Sequence, residues 1–116
     1  MQTLPHSIDP ATLSAIQGFL ARLHGKYDVA RAVLFGSRAR GDCHAESDAD
    51  LLLILRGEAR PTLATKLAMV DEAYDIEIDT GLVISPLPVW ECQWSQPEST
   101  QFPALLKTIA REGIEI

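Results

Sequence analysis

Apolar residues recur along the first part of this chain with the spacing of a helix. Leucine and isoleucine side chains return every three or four residues between Leu13 and Leu23, which is typical of a helix face packed on a core. Asp9-Pro10 supplies an N-cap and a proline suited to the first turn, and Gly25 suits the position after the last turn. The pattern predicts a helix between these two signals.

Two apolar runs of strand length follow this helix. Residues 29–35 and 49–55 are almost entirely apolar, and the second run predicts a strand buried on both faces over most of its length. Residues 36–40 predict a short helix and residues 41–47 a polar loop. The sequence thus predicts two strands joined by a short helical and polar connection.

A second long helix is predicted to open at Pro61, since proline is well placed in a first turn. The helix is amphipathic, and such a stripe normally faces a core. Its apolar face is formed by Leu63, Leu67, Val70 and Tyr74.

The segment that follows is ambiguous. Residues 75–79 alternate acidic and apolar side chains, which favours a strand, but they also continue the preceding helix directly, and Gly81 could cap it. Residues 82–89 predict a firmer strand, which Pro86 and Pro88 place at a sheet edge.

The rest of the chain completes the predicted architecture. Residues 88–101 carry only weak signals of secondary structure, whereas residues 102–112 predict a last helix followed by Gly113. The elements together predict an α/β (α+β) fold, in which helices pack on a small mixed β-sheet. No repeat or linker divides residues 1–116, so we expect a single domain.

Composition narrows the class of function. The 116 residues include ten basic and sixteen acidic side chains, and the net charge of −6 disfavours binding to long nucleic acids. Two cysteines cannot form a disulfide framework, and no basic segment followed by an apolar core opens the chain. No apolar run is long enough to cross a bilayer. We therefore expect a cytoplasmic protein.

The sharpest chemical signal is a glycine-serine turn followed by a pair of aspartates. Gly36-Ser37 closes the first apolar run, and after ten intervening residues comes Asp48-Ala49-Asp50. Carboxylates at positions i and i+2 of a strand point to the same side of the sheet, so the pair can share a divalent cation such as Mg²⁺. A glycine-serine turn leading into a helix offers N–H groups and a hydroxyl to an anion. Both features indicate nucleotide chemistry.

This arrangement resembles the signature of the DNA polymerase β nucleotidyltransferase superfamily. Residues 34–55 carry the resemblance, and within the superfamily the short chain looks like the minimal nucleotidyltransferases. The resemblance implies a polymerase β-like core, Mg²⁺ as cofactor and ATP as nucleotide substrate. It also implies a HEPN-type partner protein, for which such domains are often the antitoxin.

The resemblance also implies roles for individual residues. Asp48 and Asp50 would be catalytic metal ligands, Gly36 would let the backbone approach the terminal phosphates, and Ser37 would donate a hydrogen bond to a phosphate oxygen. Two arginines, Arg38 and Arg40, suit bidentate phosphate contacts equally as well as the surface of a short helix, and both interpretations stay open.

A third metal-binding and catalytic carboxylate is expected on a neighbouring strand. Asp79, or alternatively Glu77, would fill this position if residues 76–80 are extended. If the preceding helix instead runs to Thr80, the next strand carries no acid, and Ser85 lies where the acid would have stood.

The leading hypothesis is an enzyme that transfers AMP from ATP to a hydroxyl of a partner protein, with a HEPN toxin as that partner. The alternatives are a catalytically degenerate domain that neutralises its partner by binding, and a nucleotidyltransferase that acts on small molecules. A partner or a second copy would complete the acceptor site. Trp90, Trp94 and Phe102 are candidates for that contact surface, or else are core aromatics beneath a loop.

Overall fold

Five strands form one mixed sheet with helices on both faces, and the computed structural model describes residues 2–3, 8–40 and 48–116, with Gln2, Thr3 and Arg40 described by their backbone alone. The predicted polar loop, residues 41–47, lies outside this part. The strands are β1 (Gln2–Thr3), β2 (Val29–Phe35), β3 (Ala49–Leu55), β4 (Ile84–Trp90) and β5 (Ile114–Glu115). The α-helices are α1 (Pro10–Leu23), α2 (Ser37–Arg40), α3 (Thr62–Thr80), α4 (Glu91–Ser95) and α5 (Pro103–Glu112). A 3₁₀ turn covers Pro97–Ser99. The predicted fold class is confirmed.

The sheet has the strand order β1-β5-β2-β3-β4. β2 and β3 are antiparallel, and their last pair joins Phe35 to Asp50. β3 and β4 are parallel, with Asp50 beside Ser85, and α3 supplies the crossover that a parallel pair requires. Both predicted central strands are confirmed.

The strand β3 lies between β2 and β4 and is buried on both sides. Leu51, Leu53 and Leu55 belong to a core shared with α1 and α3, whereas Leu52 and Ile54 belong to a second core beneath α5. Strand side chains alternate between faces, so Asp50 lies on the face of α5.

Helix α1 begins and ends as predicted. Asp9 is its N-cap and accepts a hydrogen bond from the Thr12 N–H (3.0 Å), Pro10 follows in the first turn, and Gly25 takes a positive φ of 86° just beyond the end. The Thr12 hydroxyl also donates to Asp9 Oδ1 (2.6 Å). A backbone N–H in the first turn of the helix is therefore hydrogen-bonded to a side chain.

Helix α3 runs through the segment that had two interpretations. It continues to Thr80 and ends at Gly81, which adopts φ 77° and donates its N–H to the Glu77 carbonyl (2.7 Å). The strand prediction for residues 75–79 is wrong. The reason is that Gly81 provides a left-handed cap, so the helix stops only when it reaches that residue.

The apolar face predicted for α3 is the exposed one. Leu63, Leu67 and Tyr74 are 68%, 60% and 59% exposed, and Val70 is 41% exposed. The core-facing side is instead Thr65, Met69, Ala73 and Ile76. Because both sides of this helix carry apolar residues, spacing alone did not identify which one the sheet would cover.

The aromatic residues proposed as a contact surface lie within the fold. Trp90 is buried at the end of β4, and Trp94 and Phe102 are half-buried against the core beneath α5. The interpretation as core aromatics is therefore the one that the structure favours, and α4, which the sequence did not predict, carries Trp94.

Strand β5 joins the C-terminal segment to the sheet through a close approach. A Cβ at Gly113 would overlap Val33 and stand 2.7 Å from the Ile109 carbonyl oxygen. Glu115 then pairs with Arg31 through two hydrogen bonds of 2.9 and 3.0 Å, which lower the pKa of the Glu115 carboxyl. This two-residue strand had no signal in the sequence, because its hydrogen-bond partners come from a distant part of the chain.

No helix in the described part of the chain is both long and apolar enough to cross a bilayer.

The N-cap of α1 gives a pH-dependent stability test. The hydrogen bond from the Thr12 hydroxyl, assisted by its N–H and the Arg38 charge and opposed by desolvation, lowers the pKa of Asp9 below its ordinary value of 3.8. A lowered folded-state pKa stabilises the fold above the unfolded value, and that stabilisation disappears as the pH falls through the folded-state pKa. Asp9→Ala should therefore cost about 1 kcal/mol at pH 7.

The measurement is urea unfolding at several pH values from neutral to acidic. The deficit of Asp9→Ala relative to wild type should shrink below the ordinary aspartate pKa, and Asp9→Asn, an uncharged cap of similar quality, should keep most of the stability at pH 7. A deficit of equal size at every pH would contradict this account.

Candidate active site

The centre of the candidate site is the contact between a backbone turn and a carboxylate. Gly36 follows β2 with φ 79°, and a Cβ at this position would overlap Oδ2 of Asp50. Glycine is required at this position for two reasons. The backbone is left-handed, and there is no room for a side chain. The structure thus places the predicted turn and the second predicted aspartate side by side.

The first aspartate lies at the entry to the same strand. Asp48 is exposed and directly precedes β3, and Asp50 is half-buried two residues later. Alternation along an extended chain directs both to the same side of the sheet. Ser37, half-buried, begins α2 immediately after Gly36, and the first turn of a helix has N–H groups without an intrahelical partner.

A cavity of about 220 Å³ adjoins this contact. Its floor is Gly36 and Asp50 from the sheet, and the side wall is α5. The remaining lining residues are Phe35, Leu105, Thr108, Ile109 and Glu112. This volume is smaller than the roughly 300–1,000 Å³ of a whole small-molecule site, so the described cavity accommodates a part of a nucleotide.

Sequence reasoning missed Glu112 and Thr108 as site residues. They lie one helical turn apart on α5, and Glu112 is exposed at the last turn. Gly113 holds this end of α5 against β2, because a side chain at position 113 would overlap Val33. The available signal was the Glu112-Gly113 pair at the helix end, but it does not reveal which strand the helix end contacts.

Arg38 is directed toward α1. Its side chain is 8% exposed, its Nη1 donates to the Thr12 hydroxyl (2.8 Å) and lies 3.7 Å from Asp9 Oδ1. The interpretation of Arg38 as a solvated helix residue is therefore wrong. Its contacts tie α2, and with it the Gly36 turn, to the capped end of α1. The side chain of Arg40 lies outside the described part.

The predicted third carboxylate does not join the pair. Asp79 is exposed in the last turn of α3, and Glu77 lies on the same helix. This helix packs on the face of β3 opposite to Asp50. The placement of Asp79 beside Asp48 and Asp50 required an extended segment, so it is corrected, and on β4 the residue beside Asp50 is Ser85.

The side chains at this site can be compared with the ligands that a metal ion requires. No three acidic, histidine or cysteine side chains come together as a metal cluster in residues 2–3, 8–40 and 48–116. Two aspartates of the i, i+2 pair nevertheless suit Mg²⁺, which takes oxygen ligands, keeps several waters and is bound in many sites by one or two carboxylates plus substrate phosphates. Asp48 and Asp50 therefore fit as the protein's share of such a site.

A mixed sheet, a glycine-serine turn against an aspartate and an adjoining cavity suit a protein that transfers phosphate-containing groups. The comparison with protein families agrees, since the model of the nucleotidyltransferase domain matches residues 13–116. The chain belongs to this family, within the DNA polymerase β-like superfamily.

Individual proteins similar to this chain include one from each of two archaea. One, from Methanocaldococcus jannaschii, is named a "putative protein adenylyltransferase" and is 39% identical over 57 residues, covering 49% of this chain and 56% of that protein. The chain thus spans little more than half the length of this relative. The other is the crystal structure of a "putative nucleotidyltransferase" from Sulfolobus solfataricus, with 19% identity, a TM-score of 0.49, and coverage of 80% of this chain and 82% of that one.

The contact at Gly36 can be tested by comparing an alanine substitution there with one at Gly81, which has a similar φ. Gly36→Ala should destabilise the protein more than Gly81→Ala, because both have a positive φ (79° and 77°) but a Cβ at Gly81 meets nothing within 4 Å. The backbone alone costs roughly 1–2 kcal/mol in each. Urea unfolding measures the difference between the two.

Gly36→Ala should also weaken Mn²⁺ binding in a calorimetric titration, since the added methyl displaces the Asp50 carboxylate. Gly81→Ala should bind the ion as wild type does. Equal destabilisation and equal ion binding in the two variants would contradict the close contact.

Proposed function

We propose that this chain is a Mg²⁺-dependent nucleotidyltransferase that transfers AMP from ATP to a hydroxyl group of a partner protein. The observation that carries the proposal is the position of the Asp50 carboxylate, which lies against the Gly36 turn and opens into a cavity. Asp48 stands two residues before it on the same side of the strand. Membership of the nucleotidyltransferase family supports the reaction class.

The proposed reaction is a single displacement at phosphorus. A hydroxyl oxygen of the acceptor forms a bond to the α-phosphorus of ATP, the bond from that phosphorus to the β-phosphate bridging oxygen breaks, and pyrophosphate leaves. The hydroxyl proton passes to a carboxylate of the protein. Catalysis of this kind depends on alignment and on stabilisation of the developing charge.

Different residues of the chain would contribute to phosphate binding, to charge stabilisation and to the position of the turn. Mg²⁺ held by Asp48 and Asp50 would supply positive charge to the phosphate oxygens. The glycine at position 36 keeps the turn free of a side chain, so phosphate can approach the backbone, and Ser37 offers its hydroxyl at the start of α2. Arg38 keeps this turn in place through its bond to Thr12 (2.8 Å).

Glu112 is the proposed proton acceptor. It lines the same cavity as Asp50, it approaches from α5 rather than from the sheet, and β4 offers Ser85 instead of an acid. A carboxylate that faces a metal-bound carboxylate across a cavity is placed to receive a proton from a hydroxyl bound between them.

The acceptor is proposed to be a protein, with a HEPN-type partner as the first candidate, and the chain would act as its antitoxin in the cytoplasm, where ATP and Mg²⁺ are available. The similarity to the archaeal "putative protein adenylyltransferase" supports a protein acceptor. The described cavity, about 220 Å³, also leaves the acceptor to be held by another molecule.

A second candidate function follows from β4. Because Ser85 and not an acid lies beside Asp50, the domain could bind Mg-ATP without transferring it, and would then neutralise a partner by binding alone. The two functions differ in whether label from α-³²P-ATP reaches the partner.

The aspartate pair is tested by Asp48→Asn and Asp50→Asn. Each should reduce transfer from α-³²P-ATP to the co-expressed partner by about a hundredfold or more, because each removes charge that the metal requires. Asp79→Asn is the matched control, since Asp79 lies exposed on α3, and it should transfer as wild type does. Partner binding without transfer by the wild type would support the binding module instead.

The proton acceptor is tested separately by Glu112→Gln. Loss of a general base should lower kcat by about 10²–10⁴-fold with little change in KM for ATP. An unchanged kcat, or a change confined to KM, would rule out Glu112 as the proton acceptor. The proposed role of the aspartate pair would not be affected.

A further inference from the structure

Helix α3 carries a continuous apolar stripe on the side that faces away from the sheet. The stripe consists of Leu63, Leu67, Val70, Tyr74 and Ile78, all between 41% and 68% exposed. Successive members are three or four residues apart, so they share one face of this 19-residue helix over residues 63–78, a length of about 24 Å. The opposite face, which includes Met69 and Ala73, is buried in the core.

A helix that is apolar on two opposite sides is normally covered on both. Within the described residues only the core side of α3 is covered. Single exposed apolar side chains are ordinary on a surface, but five in a row on one helix mark an interaction site.

We propose that a second copy of this chain covers the stripe, in an antiparallel pairing of the two α3 helices about a two-fold axis near Val70. The stripe is self-complementary when its direction is reversed. Leu63 then meets Ile78 of the other copy, Leu67 meets Tyr74, and the two Val70 side chains meet each other where the helices approach most closely. This is the self-matched geometry that a two-fold interface requires.

Charges along one flank agree with this pairing. Lys66 and Glu77 lie on the same side of the stripe and nearly equidistant from its centre, so the antiparallel arrangement brings Lys66 of one copy alongside Glu77 of the other. No ion pair within the described part of the chain engages either residue. A parallel two-fold pairing would place the Lys66 and Glu77 flanks of the two copies on opposite sides of the interface, so this pair would not form.

The area is sufficient for a modest dimer. The five side chains expose on the order of 500 Å² in each copy, so two copies would bury roughly 1,000 Å², the lower limit of specific interfaces. Each copy carries a net charge of −6, and Asp71 lies on the other flank close to the axis. Added salt should therefore strengthen the association by screening this repulsion.

The pairing does not involve the candidate active site. Asp50 lies on the face of β3 beneath α5, whereas α3 covers the other face. Both cavities would remain open in the dimer, so this inference stands or falls independently of nucleotidyl transfer.

Sedimentation equilibrium over a wide range of protein concentration tests the proposal. The full chain should shift from its monomer mass of 12.7 kDa toward twice that value as the concentration rises. Leu67→Glu and Tyr74→Glu should each raise the dimer dissociation constant at least tenfold. Ala68→Glu, which adds the same charge to an exposed position of α3 off the stripe, should leave it unchanged.

The orientation is tested by cross-linking in a chain whose Cys43 and Cys92 are replaced by serine. Mixing Leu63→Cys with Ile78→Cys should give a mixed disulfide dimer, and neither variant should cross-link efficiently with itself. Circular dichroism and Mn²⁺ binding should match wild type in every stripe variant, because these side chains are exposed and none of them lines the cavity beside Asp50. A wild-type chain that stays monomeric throughout, or a dimer unaffected by Leu67→Glu, would overturn the proposal.

Discussion

The alternation of side chains along β3 is the constraint on which the rest of the structure depends. Leucines at positions 51, 53 and 55 point into the core beneath α1 and α3, and the residues between them point toward α5. Asp50 shares that second side, so it opens into the cavity instead of being sealed under two helices. A shift of one residue would turn the carboxylate into the core beneath α1 and α3, at a cost that no local contact could offset.

The candidate site depends on three close approaches that hold separate parts of the chain to this strand. Gly36 brings the end of β2 against Asp50, Gly113 brings the end of α5 against β2, and Arg38 ties α2 to the cap of α1. Each uses either a missing Cβ or a buried, hydrogen-bonded cation. The site is therefore a product of packing at its margins as much as of the residues that would touch a nucleotide.

The two faces of the sheet carry different features of the protein. The side beneath α5 carries the aspartate pair and Glu112, whereas the side beneath α3 provides the larger core and, on its outer surface, the apolar stripe. Because these surfaces are separated by the sheet, changes at one need not disturb the other. The aromatic residues Trp90, Trp94 and Phe102 pack in these two cores, whereas the outward stripe on α3 is the surface suited to another molecule.

Sequence alone determined the elements whose signals are local: the capped helix α1, the two central strands, the Gly36 turn and the spacing that aligns Asp48 with Asp50. Such features follow from alternation, capping and backbone sterics within a few residues. Tertiary structure alone decided which of the two apolar faces of α3 is buried and that Glu112 lines the cavity beside Asp50. These outcomes depend on which distant surfaces meet, and a helix with two apolar faces or an acid at a helix end has no local preference between the possibilities.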